Sequence, residues 1–199
     1  MSKVYSSTLS LDELKAEFRN YKLKSINNEI NFKISESVVK ENKDLLAFLT
    51  DNFPNDVITG SLALKLLGLL SRKSNDIDIL IKDKNRYDKY ILDGYGDDEF
   101  TTPNRLGFKT FKHKVGFFTK EKEYSVDFFE DKEVPFLEFD INIGNSFNSN
   151  IKKIKIHNPL EIMNFKLSIF SNNRVIRETG RKHNEDLTRI FAQSTWQVK

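Results

Sequence analysis

The segment Asp56–Asp83, DVITGSLALKLLGLLSRKSNDIDILIKD, carries the most informative pattern in this sequence. It holds a short apolar run, a leucine-rich stretch with helical spacing and a second apolar run. This pattern predicts a strand over 56–59, a helix over 61–71 and a strand over 76–82. A strand, a helix and a strand in this order form the centre of a domain built on a sheet.

The rest of the chain surrounds this unit with helices and strands. Ser10 followed by Glu13 is a capping box, which predicts a helix from residue 11. Asn158-Pro159 is a helix start, with Asn as N-cap and Pro in the first turn. Further helices are predicted over 35–53, 84–92 and 177–192. Further strands are predicted over 107–118, 123–130 and 151–156, the first two joined by the polar tip TKEKE.

These elements predict an α/β (α+β mixed) fold, a small mixed sheet flanked by helices with helical N- and C-terminal segments. With 199 residues, a single domain over 1–199 is expected. Within it we distinguish a helical segment 1–54, a core 55–139, and a C-terminal strand and helices over 140–199. The polar segment 140–150 is predicted to be a mobile loop or a joint between subdomains.

The composition excludes several classes of protein. The chain has no cysteine, which excludes disulfides, zinc–thiolate sites and thiol nucleophiles. Its 32 basic and 29 acidic residues nearly balance, so the charge alone does not indicate nucleic-acid binding. No apolar run approaches the ~18–20 residues that cross a bilayer, and the N-terminus lacks a signal-peptide pattern. We therefore expect a cytoplasmic protein with no membrane partner.

Two aspartates one residue apart lie in the second apolar run. Residues two apart in a strand point to the same face, so Asp76 and Asp78 project together while Ile77 and Ile79 face the core. Two carboxylates this close repel each other and need a cation or a shared proton. Magnesium is a suitable partner, because it prefers oxygen ligands and binds carboxylates together with substrate phosphates.

A third acid and a glycine extend this constellation. Asp127 lies in another apolar strand, and three acids converge if that strand neighbours the Asp76–Asp78 strand. Such a set can hold two metal ions for a phosphoryl transfer. Gly60-Ser61 ends the first strand and opens a helix, where a backbone without side chain lets a phosphate approach. Each feature alone also has an ordinary structural explanation: a strand end, a serine N-cap, or an acid at a sheet edge.

The ordered combination resembles the core of the polymerase-β-like nucleotidyltransferases, over about residues 56–130. It is most similar to the minimal members and to toxin-type nucleotidyltransferases of abortive-infection systems. The resemblance implies that Gly60 and Ser61 hold the phosphates of a nucleotide. It also implies that Asp76 and Asp78 bind Mg²⁺ or Mn²⁺, and that Asp127 completes the metal and catalytic site.

The C-terminal segment resembles the same families. There a strand leads through a proline into a helix with a lysine, and a basic pair and an Asp-Leu pair follow on the next helix. The matching residues are Pro159, Lys166, Arg181, Lys182 and Asp186. The resemblance implies that Lys166 and Lys182 contact the nucleotide. A lysine on a mostly apolar helix face can instead lay its stem along that face.

Other residues carry weaker signals. The three histidines, His113, His157 and His183, show no metal-binding spacing and are expected to be surface or satisfied side chains. Several lysines on strands form either a basic surface for an RNA acceptor or ordinary solvated strand faces. They are Lys109, Lys112, Lys114, Lys152, Lys153 and Lys155.

The resemblance implies a metal-dependent enzyme that moves a nucleoside monophosphate from an NTP to a hydroxyl acceptor. The acceptor is a tRNA 3′ end, a protein or a small molecule, and the toxin-type members imply a toxin–antitoxin setting. Two alternatives stay open at this point. One is a non-catalytic binding or structural module of the same fold, and the other is a basic RNA-binding protein with structural acids.

Overall fold

The computed structural model describes residues 8–72, 77–82, 96–97, 113–118, 123–130, 133–144, 148–171 and 177–193. The chain divides into two compact units. The sheet unit comprises Ile34–Leu66 and Arg72–Asn158, and the helical unit comprises Met1–Lys33, Leu67–Ser71 and Pro159–Lys199. The α/β prediction, with a mixed sheet, flanking helices and helical terminal segments, is confirmed. The single-domain prediction stays a prediction.

The sheet unit holds seven strands and three helices among the described residues. The strands are β1 Val57–Thr59, β2 Ile77–Ile81, β3 Gly96–Asp97, β4 His113–Phe118, β5 Glu123–Glu130, β6 Phe136–Asn142 and β7 Ile151–His157. The helices are α2 Glu36–Glu41, α3 Lys43–Asn52 and α4 Gly60–Leu66. The spatial order of the strands is β3-β4-β5-β2-β1-β7-β6.

The sheet is mixed, with parallel pairs at its centre. β1 pairs with β7 in parallel, and β2 pairs with β5 in parallel. All other neighbours, β1–β2, β3–β4, β4–β5 and β6–β7, are antiparallel. The predicted pairing of the strands on either side of TKEKE is therefore confirmed, although the described part of the first strand begins at 113 and not at 107.

One face of this sheet is apolar and forms the core of the unit. Ile79 of β2 pairs with Ile58 of β1 and with Phe128 of β5, and Ile58 pairs with Ile156 of β7, so these four buried side chains share this face. Phe53, directly after α3, packs edge-on against Phe128 of β5 at 5.3 Å between ring centroids. The other face carries Asp78 and Asp127, two of the acids predicted from the sequence.

The helical unit contains α1 Leu11–Ile26, α5 Pro159–Ser171 and α6 Arg177–Ala192. The Ser10–Glu13 capping box is present in full at the start of α1. Pro159 is the first residue of α5, as predicted. Tyr21 of α1 is buried against Phe191 of α6, with ring centroids 5.9 Å apart. Asn184 of α6 donates its side-chain amide to the Leu9 carbonyl at 2.8 Å.

Two predictions were wrong in their extent, and a third is not tested. The helix predicted over 35–53 is two helices, because Asn42 has φ −118° and turns its side chain back onto the Val38 carbonyl. The helix predicted over 61–71 stops at Leu66, and Gly68 with φ +69° marks the turn that follows. The helix predicted over 84–92 lies outside the described residues.

The segment 140–150 was also interpreted wrongly. Residues 140–142 belong to β6, and the remainder connects β6 to its antiparallel neighbour β7. The Asn142 side-chain oxygen accepts hydrogen bonds from the backbone N–H groups of Gly144 and Asn150, which closes the connection. Both strands belong to the sheet unit, so the segment joins no two subdomains, and its interpretation as a mobile loop stays a prediction.

Candidate functional site

Two of the predicted acids lie side by side on the polar sheet face. β2 and β5 are parallel neighbours, and their register places Asp78 directly beside Asp127. Residues paired in this way share a face, and adjacent strands lie about 4.8 Å apart. Asp127 is only 5% exposed, while Asp78 is half-buried. At about 5 Å and an effective dielectric near 20, two such charges repel by about 3 kcal/mol.

The third predicted acid, Asp76, lies outside the described residues. Among the residues that the structure does describe, no group of three or more acidic, histidine or cysteine side chains comes together. The carboxylate oxygens of Asp78 and Asp127 are the hard ligands that Mg²⁺ and Mn²⁺ take, so the donor chemistry at this place fits such an ion.

Gly60 lies against the carboxylate of Asp78. Its φ of +65° is a conformation that side chains rarely adopt. A Cβ atom built on Gly60 would lie 2.0 Å from Oδ2 of Asp78 and 2.9 Å from its Cγ. Glycine is therefore needed here for two separate reasons, the backbone conformation and the room that the carboxylate occupies. The close contact that the structure describes at Gly60 is with Asp78, and the approach of a phosphate to Gly60 stays a prediction.

Ser61 is engaged by an arginine that the sequence analysis did not single out. Nη2 of Arg72 donates to Oγ of Ser61 at 2.7 Å. Arg72 lies in the loop after α4, in the polar stretch SRKSN. The Arg72 guanidinium thus brings positive charge to Ser61, whose contact with a nucleotide phosphate stays a prediction.

Thr59 and His157 continue the site across the sheet. Thr59 pairs with Asp78 across β1 and β2. Oγ1 of Thr59 lies 2.8 Å from Nδ1 of His157 on β7, and this hydrogen bond satisfies one nitrogen of the imidazole. The expectation that His157 is a satisfied side chain is confirmed. Its position two strands away from Asp78 could not be read from the sequence, because nearly 80 residues separate the two.

The two predicted lysines belong to the helical unit. Lys166 of α5 is 4% exposed and its Nζ donates to Oδ2 of Asp186, 1% exposed, at 2.8 Å. Nδ1 of His183 lies 3.4 Å from the same ammonium. The Lys166 side chain therefore does not extend to solvent, because its ammonium group forms a buried ion pair between α5 and α6. Lys182 is exposed on α6. The nucleotide contacts of both lysines stay predictions.

Comparisons with known proteins give little further information. No protein-family model and no curated protein matches the chain. The chain is similar to a solved structure, the crystal structure of JHP933 from Helicobacter pylori, with 18% identity and a TM-score of 0.40. That alignment covers 73% of this chain and 62% of the length of JHP933. In the part of the chain that the structure describes, no helix has the length and apolarity to cross a membrane.

Proposed function

We propose that this chain is a metal-dependent nucleotidyltransferase that moves a nucleoside monophosphate from an NTP to a hydroxyl acceptor. One observation carries the proposal: neighbouring parallel strands place Asp78 and Asp127 side by side, and Gly60 presses against Asp78. Asp78 and Asp127 repel each other by about 3 kcal/mol, and a bound divalent cation would relieve that repulsion. The resemblance of the motifs to polymerase-β-like and toxin-type enzymes supports the same reaction.

Asp78 and Asp127 would hold Mg²⁺ or Mn²⁺, with Asp76 as a third ligand by prediction. The bound ion would neutralise the triphosphate and polarise its α-phosphorus. Gly60 and Ser61 would lie next to the phosphates, and Arg72 donates a hydrogen bond to the Ser61 hydroxyl.

The chemical step requires a base for the attacking hydroxyl. The acceptor oxygen forms a bond to the α-phosphorus, the bond from that phosphorus to the bridging oxygen breaks, and pyrophosphate leaves. The acceptor proton passes to the Asp127 carboxylate, which lies beside Asp78 on the same face. Proton transfer of this kind contributes about 10²–10⁴ to a rate.

The Asp127→Asn variant tests this assignment, because it keeps the size of the side chain and removes its charge. We expect NTP affinity to fall little and transfer to fall by at least ~10². The assay incubates the protein with each labelled NTP, Mg²⁺ and either total tRNA or cell lysate, and follows the label. Unchanged transfer in Asp127→Asn would remove Asp127 from the catalytic site.

A non-catalytic module of the same fold gives a different result. It would bind NTP and metal with loss of affinity in Asp78→Asn, but no acceptor would become labelled. A protein whose NTP affinity is the same with and without Mg²⁺ would contradict both functions.

A further inference from the structure

β6 forms an open edge of the sheet. Among the described strands it stands last in the spatial order, with β7 on one side and no described strand on the other. It pairs with β7 over seven consecutive residues without a bulge. Its sequence, FLEFDIN, holds no proline and no lysine, the residues that commonly protect an edge strand from further pairing. The edge is therefore long and regular enough to accept another strand.

Two backbone hydrogen bonds fix which groups of β6 point outward. Directly before β6, the Pro135 carbonyl accepts from the N–H of Asn158 at 2.9 Å. Directly after β6, the N–H of Ile143 donates to the Asn150 carbonyl at 3.0 Å. Hydrogen-bonded pairs alternate in an antiparallel ladder, so the odd-numbered residues of β6 bond to β7 and the even-numbered ones direct their N–H and C=O groups away from it. The even-numbered residues, all exposed, are Phe136, Glu138, Asp140 and Asn142.

The two faces of this edge differ in character. Leu137 and Phe139 lie on the apolar face, because Leu137 pairs with the buried Ile156. Both are only half-buried, so apolar surface stays accessible at the edge. The opposite face carries the carboxylates of Glu138 and Asp140. An added strand would therefore meet apolar side chains on one face and acids on the other.

The charge on the polar face changes from the inner strand to the outer one. β7 contributes Lys153 and Lys155, and β6 contributes Asp140 and Glu138 opposite to them. Nζ of Lys153 donates to the Glu138 carboxylate at 2.8 Å, but both side chains are exposed and the carboxylate has lone pairs for a second cation. A strand outside β6 would lie about 4.8 Å from the acids and about twice as far from the lysines. For a cation on that strand, attraction therefore exceeds repulsion, and salt screens the more distant lysines further.

We propose that β6 binds an extended segment of a protein partner as an added antiparallel strand, in which basic side chains alternate with apolar ones. Backbone hydrogen bonds would supply affinity, and the alternating side chains would supply specificity. Basic side chains would lie opposite Glu138 and Asp140, and apolar ones would extend the row of Leu137 and Phe139. A second copy of this chain fits less well, because two β6 strands related by a twofold axis would set their acids against each other.

The docked segment is distinct from the acceptor of the proposed transfer, and the proposal does not depend on that function. β6 lies three strands away from β2, so an added strand would lie a fourth spacing away, about 19 Å from Asp78. Binding at this edge leaves the acids open to their own ligands. Mg²⁺·NTP affinity should therefore be the same with and without a bound segment.

Synthetic peptides of about nine residues test the pattern of the segment. A fluorescein-labelled peptide that alternates lysine and valine is titrated with full-length protein, and its anisotropy is followed. It should bind at least about tenfold more tightly than a peptide of the same composition with its lysines grouped at one end, and than a peptide that alternates glutamate and valine. Equal binding of the three peptides would overturn the proposal.

Methylation of backbone nitrogens tests strand addition on the wild-type protein. In the antiparallel pairing, the peptide residues opposite Glu138 and Asp140 direct their N–H groups toward β6. N-methylation of the lysines should therefore weaken binding by at least about tenfold, while N-methylation of the valines should leave most of it. The reverse result, or equal binding of the two methylated peptides, would count decisively against an added antiparallel strand.

Two substitutions at one residue separate charge from backbone. Asp140→Asn removes one charge and should weaken binding of the lysine–valine peptide by up to about fivefold. Asp140→Pro also removes an outward N–H group, a change that edge strands tolerate, and should weaken binding by at least about tenfold. Asp51→Asn is the matched control, because Asp51 is an exposed acid of α3 that also pairs with a lysine of β7, Lys152. It should bind the peptide as the wild type does.

Equal melting temperatures show that each variant folds, and wild-type affinity of Asp140→Pro would refute the docking edge. Should Asp140→Pro fail to fold, the methylated peptides decide the question on the wild-type protein. Light scattering on the wild type and on Asp140→Pro tests the alternative occupant. We expect the same mass for both. A dimer that Asp140→Pro converts to a monomer would assign the edge to a second copy of this chain and overturn the proposal.

Discussion

Replacement of Gly60 by alanine tests the central contact of the site. Two costs add. An L-residue held at φ +65° costs about 1–2 kcal/mol relative to glycine. The new Cβ would also lie 2.0 Å from Oδ2 of Asp78, a full 1.0 Å inside the 3.0 Å that Cβ contacts respect. Relief of such overpacking costs about 1–3 kcal/mol. The free energy of unfolding should therefore fall by about 2–5 kcal/mol. This loss does not exceed the whole free energy of unfolding of a typical domain, which is about 5–15 kcal/mol.

Gly68→Ala is the matched control, because Gly68 has almost the same φ, +69°. Its expected cost is the conformational part alone, about 1–2 kcal/mol. Urea denaturation of both variants, with and without Asp78→Ala, separates the two costs. In the Asp78→Ala background the carboxylate is gone, so Gly60→Ala should cost only about as much as Gly68→Ala.

Metal and nucleotide binding provide the functional measurement for the same variants. Gly60→Ala must displace the Asp78 carboxylate, so calorimetric titration with Mg²⁺·NTP should show strongly reduced affinity, while Gly68→Ala keeps it. The reasoning is refuted if Gly60→Ala costs the same in both backgrounds. It is equally refuted if Gly60→Ala binds Mg²⁺·NTP like the wild type.

Three further predictions concern the helical unit. Lys166→Ala or Asp186→Asn should each lower the free energy of unfolding by about 3–5 kcal/mol, because a buried charge loses its partner. The double variant Lys166→Met with Asp186→Leu should recover most of this lost stability, as measured by urea denaturation. Gly180→Ala should stabilise α6 by about 1 kcal/mol, because alanine has the higher helix propensity. Among the described residues, the new Cβ would meet only Phe170, at 3.9 Å. A lower melting temperature would contradict this prediction. Burial raises the pKa of Tyr21 above its usual 10.0, so only the unfolded chain ionises readily and the folded state loses stability as the pH rises through 10.0. Tyr21→Phe should therefore reduce the fall in melting temperature at alkaline pH. An unchanged fall would contradict this prediction.

The local parts of the fold could be predicted from the sequence because they depend on neighbouring residues. The capping box at Ser10, the proline start of α5 and the bounds of α6 follow from side chains within one or two turns. β6 was missed, although FLEFDIN alternates, because its strand signal overlapped with the polar stretch that follows it. The early end of α4 was also missed, since leucine-rich sequence favours a helix and does not reveal the positive φ of Gly68.

The candidate site divides in the same way. The sequence determined which residues are chemically suited to it: a glycine before a helix and acids placed within apolar strands, whose alternation puts them on one face. Only the tertiary structure decided which strands are neighbours, because pairing between β2 and β5 depends on packing of the whole sheet. The pairing of the strands places Asp127 beside Asp78 and His157 beside Thr59. The tertiary structure likewise decided that Lys166 contacts Asp186, because the two helices must pack together before the two buried charges can pair.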